Sequence, residues 1–504
     1  MQINNNNKKL ISFIRIVMVL LIVLVICTAA ACITKRKESD RKYSDFKENA
    51  RNIDVLFLGS SHVLNGINPA VIYSKTGITS YNMGKPGGMV PESYWTYRLA
   101  RQYGKPKCVV IDLWSLDRDY KYLDIMTGSN DDDEIRNSVS LLHTNMDTWP
   151  LSKTKIDAAN DLLSSSKVRA EFLFPFSLYH SRWSTVRKDD FILDNSKSES
   201  NYFVLGSEPR EEIYIEHNPN EPDNKSATLS EETVSTQYLR RLIEECSSEG
   251  IEVIMTFLPM TYSHYQDFQA SNYGKQLADE YGLEFISLLD HSTLSLIDFT
   301  SDMSDESHLN ESGMYKVSEY IAGRLADRDY LKDHRGEAGY EFFESACHKW
   351  HTNQFNQLLA EEHLYRKLNL INILNANVAL LIRADSPALK DSYIRTLITK
   401  IAGSDKIDAS SGSGGPYFLL KETLPDTGET RIFEQSGESQ DTGIPTCSGT
   451  GEYVGLKDFV GFYINGDYDN NYFDMEDNYY SDLQLLILED DDSILDAKYF
   501  TGEW

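Results

Sequence analysis

The sequence predicts an α/β domain over residues 38–335 and a strand-rich α+β domain over 371–504, joined by a helical connector over 336–370. Three observations carry this reading. From Ile53 to about Leu331, short apolar runs alternate with helical stretches, the order expected of parallel strands and their crossover helices. Gly and Pro punctuate the alternation, with Pro106 before one apolar run and Gly104, Gly250 and Gly282 closing helical ones. Near Glu337 the composition changes and the alternation is lost.

The N-terminus comes first. "IVMVLLIVLVICTAAACI" runs from Ile16 to Ile33 without a charge, and about 17–25 such residues span a bilayer as a helix. The run is apolar all round, unlike an amphipathic core helix. A cleaved signal peptide is the rival, because Ala29-Ala30-Ala31 forms an A-x-A pattern before Cys32, itself resembling a lipid-attachment site. The length of the run favours an uncleaved signal-anchor, so residues 1–37 are read as a cytoplasmic tail and one membrane span. Lys8, Lys9 and Arg15 precede the span, and Lys35, Arg36, Lys37, Arg41 and Lys42 follow it. That count opposes export, but large domains translocate largely regardless of local charge. The expected location is the cell membrane, single-pass, with the folded part extracytoplasmic.

The elements then follow in order. "IDVLFLG" (53–59) reads as a buried strand, followed by a short helix from Pro69 to Lys75. "ITSYNMG" (78–84) is a second strand, "ESYWTYRLARQYG" (92–104) a helix, and "KCVVIDLW" (107–114) a third strand. A helix over 231–250, a strand over 251–259, a helix to Gly282 and a strand over 283–289 complete a parallel sheet of about five strands. Asn310 can cap the last helix. The stretch from about 119 to 230 breaks the alternation and is read as a large insertion capping the site. It holds an amphipathic segment near 152–165 and "FLFPFSLYHSRWSTV" (172–186), in which His180, Arg182 and Trp183 are candidate substrate-binding residues.

Beyond the connector, "NVALLIR" (377–383) reads as a strand, "SPALKDSYIRTLITKIAG" (386–403) as a helix and "SSGSGG" (410–415) as a flexible turn. "PYFLLKE", "KDFVGFYIN", "DLQLLILED" and "SILDAKYF" read as strand-forming stretches.

Charge and cysteines exclude several functions. A formal net charge of −28 argues against nucleic acid, which needs clustered Lys and Arg. Cys108, Cys246, Cys347 and Cys447 show neither zinc spacing nor a disulfide framework. Asp467, Asp469 and Asn471 have D-x-D-x-N spacing, but an EF-hand loop would need Gly and Glu where Tyr472 and Asn478 stand. No metal and no cofactor is expected.

The chemistry lies at "GSS" (59–61) and "DMSDESHLNESG" (302–313). A serine where a buried strand ends and a helix begins can serve as a nucleophile, provided a third group orients its base. Asp305 and His308, three apart before the last helix, suit the orienting carboxylate and the base. Together these segments resemble the GDSL-like SGNH hydrolase superfamily, with Ser61 at the nucleophile's position and Asp305-x-x-His308 as the closing block. Ser60 is the alternative nucleophile. "YNMGKPGG" (81–88) is similar to the second block, so the resemblance implies Ser61 and Gly87 as oxyanion-hole amides, with Gly84 and Gly88 as neighbours. The third block's asparagine is missing from "IDLWSLDRD" (111–119). His62, beside Ser61, is a substrate-facing or structural candidate.

The resemblance implies a three-layer α/β/α, flavodoxin-like SGNH domain. It extends to the membrane-anchored bacterial branch that modifies cell-envelope polysaccharides, and so implies a serine esterase or O-acyltransferase, in the latter case for O-acetyl groups. Its expected partners are a polysaccharide substrate, the membrane and a membrane-bound O-acyltransferase. The alternative is a non-catalytic glycan-binding or assembly protein on the same fold. The C-terminal segment is faintly similar to interleukin-like EMT-inducer domains, which implies glycan binding.

Overall fold

The computed structural model describes residues 5–34, 40–122, 141–174, 186, 204–216, 227–229, 231–457, 459–465, 473–474 and 482–502, except 262–263 and 290–295. The chain forms two compact units. The first comprises Met1–Pro209, Asn220–Leu296 and Val317–Glu344; the second comprises Arg210–Pro219, Ile297–Lys316 and Ser345–Trp504.

At the N-terminus, α1 (Asn5–Thr34) contains an apolar stretch, Leu10–Ala30, long enough to cross a membrane. Its length and composition suit a single-pass anchor, and a signal sequence has the same properties.

The first unit is built on one parallel sheet. Its strands are β1 (Val55–Leu58), β2 (Ser80–Asn82), β3 (Cys108–Asp112), β4 (Glu252–Phe257) and β5 (Glu284–Ser287), in the order β2-β1-β3-β4-β5. That is the flavodoxin-like order, in which ligands bind outside the carboxyl ends of the strands. All residues of β1 and β3 are buried, as a sheet covered on both faces requires. The predicted strands are all present, each trimmed at its ends.

Local chemistry sets the crossovers. Asn68 accepts a hydrogen bond from the Ala70 N–H at 2.9 Å and starts the helix Pro69–Thr76, with Pro at its first position. Gly77, at φ 72°, ends it. In the insertion, Lys153–Leu162 and Ser166–Leu173 are helical. Asp161 ties the first of these to the domain, accepting from the Trp95 indole at 2.8 Å and the Tyr238 hydroxyl at 2.7 Å.

The second unit holds two antiparallel sheets. One has β6 (Val378–Ile382), β7 (Tyr417–Thr423), β8 (Thr430–Ser436), β13 (Leu483–Leu488) and β14 (Ile494–Phe500), ordered β14-β13-β6-β7-β8. The other has β9 (Ser439–Pro445), β10 (Thr450–Gly455), β11 (Val460–Ile464) and β12 (Phe473–Asp474), ordered β12-β11-β10-β9. Alternation along β7 divides two cores. Tyr417 and Leu419 pack with Leu368, Ile394, Leu397 and Ile398 from helices, whereas Phe418 and Leu420 pack with Tyr453, Val460 and Phe462 of the second sheet. "SSGSGG" differs from its reading as a flexible turn. Its first four residues belong to the helix Ile407–Ser413, and Gly414, at φ 69°, ends that helix. The Ser410 hydroxyl is buried and donates to the Pro416 carbonyl at 2.9 Å, which fixes the segment.

Candidate active site

β1 ends at Leu58, and Gly59 turns the chain into α2 (Ser61–Gly66). Gly59 has φ 152°, and a Cβ there would meet Val63 at 2.6 Å and Asp112 at 2.9 Å. Only glycine fits that turn. Ser60 is buried, and its Oγ accepts a hydrogen bond from the His62 N–H at 3.2 Å, which makes it the cap of α2. Ser61 is half-buried and opens α2 at the carboxyl end of β1. The adjacent serines therefore differ: Ser60 builds the turn, and Ser61 is presented by it. His62 is buried edge-on against Trp114, with ring centroids 5.3 Å apart.

The segment after β2 runs along this turn. The Lys85 N–H donates to the Gly59 carbonyl at 3.1 Å, and the Gly88 N–H donates to the Lys85 carbonyl at 3.0 Å. Pro86 and Gly87 are the central pair of that second turn, and Gly87 has φ 59°, the residue chemistry of a type II turn. A Cβ on Gly88 would come within 2.8 Å of the Gly59 carbonyl, so the two segments approach closely through glycine. Asn82 holds α2 from below. Its Nδ2 donates to the Val63 and Ile67 carbonyls at 2.7 and 2.8 Å, and its Oδ1 accepts from the Gly84 N–H at 2.8 Å.

Two buried ionisable groups border this half-site. Asp112, at the end of β3, accepts from the Leu258 N–H at 3.1 Å and the Trp114 N–H at 3.3 Å. Burial pushes its carboxyl up to about 7 against those bonds. Lys85 is buried with its Nζ 4.7 Å from the centre of the Trp149 ring. Burial lowers its ammonium to about 8, opposed by the charge of Glu92. Lys85 escaped the sequence reading, and its one signal was a lone cation inside "GKPGG".

The second unit carries Asp305 and His308, which the fold brings together. His308 Nδ1 lies 2.8 and 2.9 Å from the two carboxylate oxygens of Asp305. Asp305 Oδ1 also accepts from the Ser307 and His308 N–H groups at 2.8 and 2.9 Å, so backbone as well as ring fixes the carboxylate. Arg210 Nη1 lies 2.5 Å from Asp305 Oδ2. Burial would raise the Asp305 carboxyl, but these hydrogen bonds and the charges of His308 and Arg210 hold it below its ordinary value. His308 is lowered by burial first and by Arg210 second, against the pull of Asp305. That shift favours the neutral imidazole, the form a general base needs.

Asn310 explains why this loop has one shape. Its Oδ1 accepts from the Ser312 and Gly313 N–H groups, at 3.0 and 3.2 Å, and starts α3 (Glu311–Ala326). Its Nδ2 donates back to the Ser301 and Met303 carbonyls at 2.8 and 3.1 Å. Beneath the loop, buried Asp302 is paired with Lys316 at 2.5 Å. Arg210 was also missed by the sequence reading, although it stands alone as a cation within "EPREE".

His180, Arg182 and Trp183 lie outside the described residues, as does the Asp467–Asn471 segment. Among the described residues, Cys27, Cys108, Cys246, Cys347 and Cys447 form no disulfide.

No protein-family model and no curated protein matches the chain. Among solved structures, it is similar to one described as a lipolytic protein of the G-D-S-L family from Desulfitobacterium hafniense DCB-2. Identity is 13%, coverage is 54% of this chain and 98% of that one, and the TM-score is 0.26. A likeness at that level carries no argument about activity.

Proposed function

We propose that this protein is a membrane-anchored, extracytoplasmic serine esterase or O-acyltransferase acting on a cell-envelope or secreted polysaccharide. The observation that carries the reading is the Asp305–His308 pair, an imidazole held at 2.8 Å by a carboxylate. Support comes also from Ser61, which opens a helix at the carboxyl end of β1 where flavodoxin-like sheets place their sites.

In this reading Ser61 Oγ attacks the acyl carbonyl while His308 Nε2 takes its proton, and Asp305 stabilises the imidazolium. The amides of Ser61 and Gly87 bind the oxyanion. Collapse of the tetrahedral intermediate breaks the ester bond, and the proton on His308 passes to the departing alcohol. Water or a sugar hydroxyl then attacks acyl-Ser61, the proton returns through His308, and the acyl group leaves as acid or as new ester. Without a third-block asparagine the oxyanion has one donor fewer, a loss of about 10²–10³ in rate in other hydrolases.

That same position favours a second reading, a non-catalytic glycan-binding or assembly protein. At the end of β3 stands Asp112, an acceptor already used by two backbone N–H groups. The two readings separate on exposure to p-nitrophenyl acetate and rapid acid quench. The enzyme accumulates one acetyl group on Ser61, located by peptide mass, and Ser61→Ala accumulates none. A folded wild-type protein that never acetylates at Ser61, yet binds polysaccharide equally well as Ser61→Ala, establishes the binding protein instead.

A further inference from the structure

Glu422 occupies an anomalous position on β7. Phe418 and Leu420 point into the apolar core between the two sheets of the second unit, and the period of two carries Glu422 to the same face. Its side chain is buried against the carboxyl of Asp492 and the Cys447 backbone N–H, and neither oxygen reaches a donor in good hydrogen-bond geometry. A buried carboxylate in that state is costly unless a proton or a cation sits against it.

Two further groups meet it there. Asp492 lies in the turn between β13 and β14, where its backbone has φ 68° and its N–H donates to the Glu489 carbonyl at 3.1 Å. One oxygen, Oδ2, accepts from the Ser448 N–H at 2.6 Å; the other, Oδ1, is buried with no donor in good hydrogen-bond geometry, and the Glu422 carboxyl and the Thr446 hydroxyl lie beside the carboxylate. Cys447 lies in the turn between β9 and β10, closed by the Thr446 N–H on the Gly449 carbonyl at 3.0 Å. One ligand atom each from Glu422, Cys447 and Asp492 lies within 4.8 Å of the other two. Metal bonds of about 2.0 Å to oxygen and about 2.3 Å to sulfur put neighbouring ligands of a tetrahedral site under about 4 Å apart, so a small inward movement completes it.

We propose that Glu422, Cys447 and Asp492 form a zinc site that joins the two sheets of the C-terminal unit, with water in the fourth position. Sulfur decides the metal class. Calcium and magnesium take oxygen ligands only, whereas a thiolate with carboxylates suits a borderline ion such as Zn²⁺. In the metal-free protein, burial and then Asp492 push the Glu422 carboxyl up to about 8, and burial with the surrounding carboxylates pushes the Cys447 thiol up to about 11. Binding therefore releases those two protons to solvent and replaces them with one dication. Arg431, paired across the strands with Glu422, offsets part of the remaining negative charge. Sequence spacing hides such a site because its ligands come from a strand and two distant turns. It is independent of the chemistry at Ser61.

The test uses the full chain in detergent micelles, stripped with a chelator and titrated with Zn²⁺ and, separately, with Co²⁺. The expected result is one Zn²⁺ per chain with a higher Tm, and a Co²⁺ thiolate charge-transfer band that is absent in Cys447→Ser. Glu422→Gln and Asp492→Asn should each weaken Zn²⁺ binding at least tenfold while leaving the metal-free circular dichroism unchanged. Failure of wild type to bind stoichiometrically overturns the site, as does a Co²⁺ band that survives Cys447→Ser. If Cys447→Ser does not fold, undiminished Zn²⁺ affinity in folded Glu422→Gln overturns it equally.

Discussion

Arg210→Gln is the perturbation that most sharply tests the electrostatics assigned to His308. Arg210 Nη1 lies 2.5 Å from Asp305 Oδ2, and that oxygen lies 2.9 Å from His308 Nδ1, which places guanidinium and imidazole at most about 5.4 Å apart. The Arg210 and Asp305 side chains are 32% and 45% exposed, so solvent screens the interaction strongly. Coulomb's law at about 5 Å with an effective dielectric between about 40 and 80 gives about 1 kcal/mol, a factor of about five in the ratio of neutral to protonated His308. The sign is fixed. Arg210 disfavours the imidazolium, so its removal lets His308 take up a proton at higher pH. Asp305 stays in place because the Ser307 and His308 N–H groups still hold it. The assay is kcat/KM for p-nitrophenyl acetate between pH 4.5 and 9. The variant should match wild type within about twofold on the alkaline plateau and fall about fivefold below it on the acid limb, which moves to higher pH. An acid limb that stays put, or moves to lower pH, refutes the assignment of His308 as a base tuned by Arg210.

Three further outcomes follow from buried groups. Asn310→Ala removes a helix cap and two buried donor bonds, and should cost about 2–4 kcal/mol in urea unfolding. Lys85→Met should raise Tm at pH 7, because it removes a buried ammonium with no hydrogen-bond partner. Folding depresses the Lys85 pKa to about 8, so wild-type stability rises as pH climbs from there toward the unfolded value, and the gain from Lys85→Met should shrink over that window. Glu422 is shifted the other way, up to about 8. In metal-free protein the folded state holds a proton that the unfolded state has lost, so stability should fall as pH rises from about 4.5 toward 8. Glu422→Gln should flatten that slope, as read by Tm across the range.

The parallel sheet was legible because its strands are buried on both faces, and continuous apolar runs such as "VLFL" and "CVVID" have few other uses. β8, β9 and β10 were not. "TRIFEQS" and "SQDTGIP" leave most side chains in contact with solvent, so pairing rather than burial makes them strands. The helical reading of 340–368 ran across a break, since Glu341–Ala360 ends and Leu364–Leu374 begins anew. Asp305 and His308 could be read because their partnership is local in sequence. Gly59 and Ser61 could be read because a glycine-serine turn after an apolar run has a steric meaning. Arg210, Lys85 and the Glu422–Cys447–Asp492 cluster could not, because each acquires its chemistry only from residues far away along the chain.

The central claim is that Ser61 is a nucleophile activated by His308. A fluorophosphonate probe on the full chain, read by intact mass and peptide mapping, tests it most directly, with Ser61→Ala and His308→Ala alongside. The predicted result is one adduct, on Ser61, absent from Ser61→Ala and slowed at least 100-fold in His308→Ala. A folded wild-type protein that takes no label, or takes it at Ser60, contradicts the claim.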